Sequence, residues 1–139
     1  MKIFRLSAVV LAAAFVALAV AALPSRLCFE NGKNYVFYCG TSSKDCREIF
    51  AGDNAALTRL TLTDVCGESA EYDDFSLDEF LKSVNGRIVR REEGEGYVNY
   101  YCAADLPYSL MLDGVEINLH ICVRDSGVKV ASPIIFGGY

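Results

Sequence analysis

The hydrophobic pattern divides the chain into one unbroken apolar segment and a longer region in which apolar and polar residues alternate. The apolar segment is an uncharged run of 18 residues, 6–23, which follows the basic residues Lys2 and Arg5. Its apolar residues leave no polar face, unlike those of a surface helix of a globular domain. A basic head, an apolar middle and small residues near the end are the parts of a secretory signal. We therefore interpret residues 1–23 as a signal peptide or an N-terminal membrane anchor.

The end of this segment leaves two outcomes open. Residues 19–21 read Ala-Val-Ala, an A-x-A pattern that predicts cleavage after Ala21. The run also reaches the shortest length at which a helix spans a bilayer, so retention as an anchor is the alternative. In both cases residues 24–139 are expected to form a single extracytoplasmic domain, attached to the cell membrane by residues 6–23 if the segment is retained.

The first half of the domain predicts strands joined by turns. Residues 34–39 and 47–50 are short aromatic or β-branched segments and predict two strands. Residues 57–63 alternate leucine with arginine and threonine, which is typical of a half-buried strand. Residues 67–74 are acidic and polar, and they predict a surface loop.

The clearest local signal predicts a helix over residues 77–85. Ser76 begins a Ser-Leu-Asp-Glu capping box, and Phe75 and Phe80 have the spacing of a hydrophobic staple. An Asn-Gly pair closes the helix, with Gly86 as the expected left-handed residue.

The remaining sequence predicts antiparallel strands at residues 87–92, 97–103, 108–112, 115–123 and 128–135. Asp113-Gly114 is a strong signal for a two-residue hairpin. Residues 115–123 alternate strictly, which indicates one buried face and one polar face. One main helix, at about 77–85, packed against a mostly antiparallel sheet gives an α+β fold class.

Charge excludes one class of partner. All 18 acidic residues follow the apolar segment, with only 11 of the 13 basic ones, so the exported part carries a net charge near −7. Nucleic-acid binding depends on neutralising phosphates with basic side chains, so we expect no nucleic-acid partner. Membrane contact is expected only through the N-terminal segment.

The order of elements after the capped helix resembles the C-terminal part of the YwmB-like family of exported Gram-positive proteins. The resemblance covers residues 76–139. It rests on the Asn-Leu-aliphatic strand that ends at Arg124, and on residues 128–134 (VKVASPI), which are similar to the family's V-x-V-G-[ST]-P-I segment. It implies a curved antiparallel sheet like one half of the TATA-box-binding fold, and it supplies no catalytic residues. The chain is short for a two-half protein, so a single half in a homodimer is a further expectation.

An even number of cysteines in an exported chain predicts a disulfide framework, with free buried thiols as the alternative. Cys39 and Cys46 flank a predicted turn, and Cys102 and Cys122 lie on strands that are expected to be neighbours. The candidate disulfide cysteines are Cys28, Cys39, Cys46, Cys66, Cys102 and Cys122.

Other catalytic or metal-binding chemistry has weak support. His120 is the only histidine, and together with Cys122 on the same strand face it could supply two zinc ligands. The six-residue spacing between Cys39 and Cys46, with no second close pair, matches no standard zinc pattern. No sequence context singles out an activated cysteine. We therefore expect no catalytic residues, no metal and no cofactor. The candidate binding face of the sheet consists of Tyr97, Tyr101, Asn118 and His120, with packing within the sheet as the more usual role for Tyr97 and Tyr101.

These observations favour a non-enzymatic binding or assembly module of the cell envelope, whose partner is an unknown envelope protein or polymer. Two alternatives remain open: a thiol-dependent enzyme or redox protein, and a secreted protease inhibitor.

Overall fold

A computed structural model describes residues 2–21, 27–41 and 45–137. In these ranges the helices are α1 (Lys2–Ala21), α2 (Ala55–Thr61) and α3 (Leu77–Ser83), with a 3-10 turn at Gly52–Asn54. The strands are β1 (Lys33–Cys39), β2 (Arg47–Phe50), β3 (Val65–Tyr72), β4 (Arg87–Gly94), β5 (Tyr97–Ala103), β6 (Leu110–Leu112), β7 (Val115–Ile117), β8 (Leu119–Arg124) and β9 (Gly127–Ser132).

Seven strands form one open antiparallel sheet in the order β2-β1-β3-β9-β8-β5-β4, and β6 and β7 form a separate two-stranded hairpin. The α+β class with a large antiparallel sheet is therefore confirmed. The central strands β3, β9 and β8 come from the middle and the end of the chain, so strands far apart in sequence form the middle of the sheet.

Helix α1 occupies the apolar N-terminal segment. Its described side chains are exposed, for example Leu11 at 70% and Phe15 at 74%. Within the described ranges, none of the helices has the length and apolar character required to cross a membrane. The predicted cleavage after Ala21 borders residues 22–26, which lie outside the described part of the chain.

The predicted strand at residues 57–63 is wrong, because most of this segment belongs to α2. Strands β2 and β3 are both antiparallel to β1 and lie on either side of it, so they run parallel to each other. Parallel strands cannot be joined by a tight hairpin and need a crossover connection, which is usually helical. The alanines that open α2 are strong helix formers, and Ala55 is buried in the core.

The predicted surface loop at residues 67–74 is also wrong, because β3 occupies Val65–Tyr72 and is paired on both sides. Glu68 and Ser69 are buried and hydrogen-bonded instead of exposed. Ser69 accepts a hydrogen bond from the Tyr38 hydroxyl at 3.2 Å, and Glu68 accepts bonds from the backbone. These two polar residues therefore belong to a buried network, whereas Glu71 is partly exposed and Asp73 and Asp74 are exposed.

The predicted helix is confirmed as α3, with an earlier end at Ser83. The Ser76 side chain makes no capping hydrogen bond, and its carbonyl instead accepts the backbone N–H of Phe80 at 2.9 Å. The left-handed residue is Asn85, with φ of 50°, and not Gly86. Asparagine tolerates this conformation better than most residues, so the turn closes one position earlier.

The Asp113-Gly114 hairpin is confirmed, with positive φ at both residues. The predicted strand 115–123 is split at Asn118 into β7 and β8. The expectation of a polar face is wrong for β8, because His120 and Cys122 are as buried as their neighbours. The segment after β9 covers this side of the sheet, where Ile135 packs in one cluster with Cys122.

Two clusters define the two faces of the sheet. We call the side that carries α3 the first face; its core includes Phe37, Ala70, Leu81, Cys102, Leu119, Ile121 and Val130. The second face has a smaller cluster of Cys122, Ala131 and Ile135, against which Tyr97 packs.

Candidate functional site

The predicted binding face does not form an exposed platform, because its histidine is enclosed. His120 is 1% exposed. Its Nδ1 accepts the backbone N–H of Ile135 at 3.2 Å, so in the neutral ring Nε2 carries the proton and donates to Asn99 Oδ1 at 3.0 Å. Burial lowers the pKa of His120 to about 4. The ring is therefore neutral at physiological pH and both of its nitrogens are engaged.

The other three predicted face residues also serve the fold. Tyr101 stacks on His120 with ring centroids 4.6 Å apart and is 8% exposed. Tyr97 lies on the same side of β5, four residues away, and packs against the second-face cluster. The Asn118 side chain accepts the backbone N–H of Ala104 at 2.6 Å and also donates to the carbonyl of Ala104. Asn118 therefore fixes the chain that leaves β5.

All six cysteines lie in the described part of the chain, and each is a free thiol. Strands β5 and β8 are neighbours as predicted, but Cys102 lies opposite Leu119 whereas Cys122 lies opposite Asn99. Because side chains alternate between the faces of a strand, these two thiols point to opposite sides of the sheet. Burial raises the pKa of Cys102 to about 11 and raises the pKa of Cys122 above its ordinary value.

A buried carboxylate holds the start of the domain against the first face. Glu68 is 0% exposed and lies two residues before Ala70 on the same side of β3. It accepts the backbone N–H of Cys28 at 3.0 and 3.1 Å and that of Phe29 at 3.4 Å. Burial raises the pKa of the Glu68 carboxyl, while these backbone donors and the charge of Arg59 oppose the shift. The carboxylate thus attaches residues 28–29 to the sheet.

Arg59 and the Cys28 thiol lie close to the Glu68 carboxylate. Arg59 Nη2 donates to the Tyr108 hydroxyl at 3.2 Å, and its Nε is buried with no hydrogen-bond partner among the described residues. Burial, followed by the adjacent charge of Glu68, raises the pKa of Cys28 well above its usual range. Cys28 is therefore a protonated thiol and a poor nucleophile.

Beside this cluster a groove with a volume of about 530 Å³ separates the segment 27–31 from the end of α3. Its size lies within the range of small-ligand sites. The lining residues are Leu27, Cys28, Phe29, Glu30, Asn31, Tyr72, Phe80, Lys82, Ser83, Val84, Asn85, Asp105 and Leu106.

An aromatic cluster contributes the apolar wall of the groove. The Phe80 ring lies 6.0 Å from Phe29 and 5.8 Å from Tyr72, measured between centroids. Phe75 lies 5.0 Å from Phe80, which confirms the predicted hydrophobic staple. The Tyr72 hydroxyl donates to the carbonyl of Glu30 at 2.6 Å and fixes the segment opposite α3. These contacts make the wall rigid.

The remaining lining residues are polar and come from both sides of the groove. Lys82, Ser83 and Asn85 come from the end of α3, and the Asn85 amide donates to Asp105 Oδ2 at 3.1 Å. Glu30 and Asn31 lie on the opposite side. The groove therefore offers an apolar wall together with hydrogen-bond donors and acceptors, the usual composition of a binding site.

Within the described ranges, no cluster of three or more histidine, cysteine, aspartate or glutamate side chains could hold a metal ion. No protein-family model matches the chain, and neither a curated protein nor a solved structure matches it. The YwmB-like resemblance therefore stays a prediction.

Sequence reasoning missed Glu68 and the groove. Residues 67–74 were interpreted as a loop, although the Glu-Ser-Ala-Glu-Tyr alternation within them carries a strand signal that the acidic residues obscured. The staple residues Phe75 and Phe80 were recognised from the sequence, but the ring that joins them from the N-terminal segment, Phe29, was not.

Proposed function

We propose that the chain is exported and that residues 27–137 act outside the cytoplasm as a non-enzymatic module that binds an envelope polypeptide in the groove. The observation that carries this proposal is the groove itself, which combines a rigid aromatic wall with polar groups on both sides. Export places this site where envelope proteins are accessible.

The exposed apolar surface of α1 supports export. Side chains such as Val10, Leu11 and Phe15 are 60% or more exposed. Such a helix needs an apolar environment, and the export machinery and the lipid bilayer both provide one. Lys2 and Arg5 precede the apolar run, as a secretory signal requires.

The state of the ionisable groups supports a non-enzymatic role. General bases work best with a pKa near the operating pH, whereas burial lowers the pKa of His120 to about 4. Catalytic cysteines need a lowered pKa, whereas the pKa values of Cys28, Cys39 and Cys66 are raised by burial.

The groove chemistry favours a polypeptide ligand. An apolar side chain would fill the space beside Phe80 and Tyr72, and the amides of Asn31 and Asn85 can both donate to and accept from a peptide backbone. Among the lining residues in the described part of the chain, Lys82 is the one basic residue, against Glu30 and Asp105. Strongly anionic ligands are therefore disfavoured.

Site-specific photo-crosslinking in the native host tests this proposal. A photoreactive amino acid replaces Ser83, which is exposed and lines the groove, and the matched control carries it at Glu95, which is exposed outside the groove. We expect a defined protein adduct from the Ser83 position and none from Glu95. A second variant, Phe80→Ala with the photoreactive residue at Ser83, should lose most of the adduct because the apolar wall is gone.

Three results would overturn the proposal. An adduct that forms only with a glycan or a lipid would show that the ligand is not a polypeptide. Equal adducts from Ser83 and Glu95 would mean non-specific contact. No adduct from Ser83, with the folded protein present in the envelope, would remove the groove as a binding site.

We also retain as proposals the YwmB-like relationship, the TATA-box-binding-like half that it implies, and the homodimer. The antiparallel sheet with helices on one face is compatible with such a half. Sedimentation of the purified chain at several concentrations tests the dimer, and a monomer at all of them would contradict it.

A further inference from the structure

Two partly buried cysteines meet where strand β1 ends. The backbone N–H of Gly40 donates to the carbonyl of Asp64 at 2.9 Å, just before Cys66. On the other side, a Cβ placed on Gly40 would lie 2.8 Å from the carbonyl oxygen of Asp45 and 3.1 Å from the Cα of Cys46. The absence of a side chain at Gly40 therefore lets the segments that carry Cys46 and Cys66 approach each other across the end of β1.

The two thiols line the same cavity at this strand end, and they are near enough for Cys46 to influence the pKa of Cys66. The Cys66 thiol also donates to the carbonyl of Tyr38 at 3.4 Å, which holds it in place at the strand end. Burial raises the pKa of Cys66, and the neighbouring Cys46 adds to the shift. Cys39 is close to both but is 1% exposed within the first-face core.

Solvent reaches this thiol pair through a cavity. Cys46 and Cys66 both line a pocket with a volume of about 190 Å³. Its other lining residues are Gly40, Thr41, Ser109, Leu110, Pro133 and Phe136. Both thiols are only partly buried, so a small disulfide or the exposed disulfide of an oxidoreductase can approach them.

The geometry points to Cys46 and Cys66 as a dithiol site for thiol–disulfide exchange with an extracytoplasmic disulfide, which converts the pair into an intramolecular bond. The Cys46 thiolate attacks one sulfur of the incoming disulfide, forms a mixed disulfide and releases the first thiolate. The proton of the Cys66 thiol passes to the thiolate released in the first step, and the Cys66 sulfur then attacks the Cys46 sulfur and releases the second thiolate. The two cysteines are oxidised by two electrons, the incoming disulfide is reduced to two thiols, and the protons pass to those thiols.

This bond would enclose residues 46–66, which include the edge strand β2 and helix α2. A disulfide restricts the unfolded chain and so favours the folded state. For a loop of this length in a domain of this size, we expect the oxidised protein to melt on the order of 10 °C above the reduced protein.

Mass spectrometry in defined redox buffers tests the proposal on the full chain, purified in mild detergent. The protein is equilibrated with mixtures of reduced and oxidised glutathione, its free thiols are alkylated, and it is unfolded, alkylated again and digested. We expect one cross-linked peptide pair that joins Cys46 to Cys66 with the loss of two hydrogen atoms. The other four cysteines should carry the alkylating group.

Three variants complete the test. Cys46→Ser and Cys66→Ser should each abolish the cross-link and the difference in melting temperature. Cys122→Ala, which removes a buried thiol on the second face of the sheet, should leave the cross-link and the difference in melting temperature unchanged. Alkylation of all six cysteines at every glutathione ratio would overturn the proposal, and so would a bond formed by Cys39 in place of Cys46 or Cys66.

Discussion

Replacing Glu68 tests how the start of the domain is attached to the sheet. The carboxylate is fully buried and accepts the backbone N–H groups of Cys28 and Phe29. Glu68→Ala removes the acceptor for both donors and leaves a cavity on the first face. The segment 27–31 forms one side of the groove, so the same change should also loosen the groove.

The expected magnitude follows from these contacts. A buried donor without an acceptor costs about 1–3 kcal/mol. Cys28 is partly exposed, so water can replace its bond in part, whereas Phe29 is buried. Removing a desolvated carboxylate offsets some of the loss. We therefore expect Glu68→Ala to lower the free energy of unfolding by about 2 kcal/mol at neutral pH.

Glu68→Gln separates charge from hydrogen bonding, because the side chain keeps its shape and one acceptor oxygen. Burial raises the pKa of the folded-state carboxyl above its ordinary value of 4.5. The folded protein thus binds the proton more tightly than the unfolded chain does. The stabilisation that comes from this tighter proton binding is fully present below pH 4.5, and it is lost as the pH rises through the folded-state pKa. Glutamine does not ionise, so the free energy of unfolding of Glu68→Gln should not show this loss with rising pH.

Urea unfolding followed by circular dichroism at several pH values measures both effects. Glu71→Gln is the matched control, because Glu71 is a partly exposed glutamate on the same strand. The free energy of unfolding of the wild type, relative to that of Glu68→Gln, should be higher at low pH than at neutral pH. The same comparison between the wild type and Glu71→Gln should not show this dependence on pH. An unchanged midpoint for Glu68→Ala, or a pH-independent difference for Glu68→Gln, would refute the reasoning.

Two further predictions concern the second face and the strand break. Burial lowers the pKa of His120 from 6.5 to about 4, because the folded protein disfavours the charged ring. The stability that the neutral ring provides is therefore fully present above pH 6.5, and the free energy of unfolding falls by about 3 kcal/mol as the pH is lowered towards 4. His120→Gln should remove this decline in urea unfolding, and an identical decline in the variant would contradict the assignment. Asn118→Ala should lower the free energy of unfolding by about 1–3 kcal/mol, because it leaves the backbone groups of Ala104 without their partner. Thermal melting checks this, and an unchanged melting temperature would contradict it.

Elements with local signals could be predicted from the sequence. The capping box at Ser76 and the staple at Phe75 and Phe80 predicted α3, and Asp113-Gly114 predicted the β6–β7 hairpin. These signals depend on residues within one or two turns of each other, so no knowledge of the remaining fold is needed.

Elements that depend on distant pairing could not be predicted. Residues 55–61 form a helix because β2 and β3 lie on opposite sides of β1, which their leucine and threonine pattern does not reveal. Glu68 is buried because β9, some 60 residues later, pairs with β3. The alternation in β8 correctly predicted that His120 lies on the face opposite to Leu119 and Ile121. It did not indicate that residues 133–136 cover that face.

The groove could not be predicted from the sequence, for the same reason. Tyr97, Tyr101, Asn118 and His120 were grouped by their position on predicted strands, and the structure uses them for packing and hydrogen bonds. The groove combines Tyr72 with residues from 27–31, 80–85 and 105–106, four parts of the chain that no local pattern connects.

A topology reporter tests the central claim most directly, namely that the domain acts outside the cytoplasm. Alkaline phosphatase, which becomes active only after export, is fused behind the full chain and expressed in the native host. We expect phosphatase activity that is lost when Leu11→Arg and Val16→Glu interrupt the apolar run, whereas the surface change Glu95→Gln leaves it intact. An inactive phosphatase, together with fluorescence from a fusion to a reporter that matures only in the cytoplasm, would contradict it.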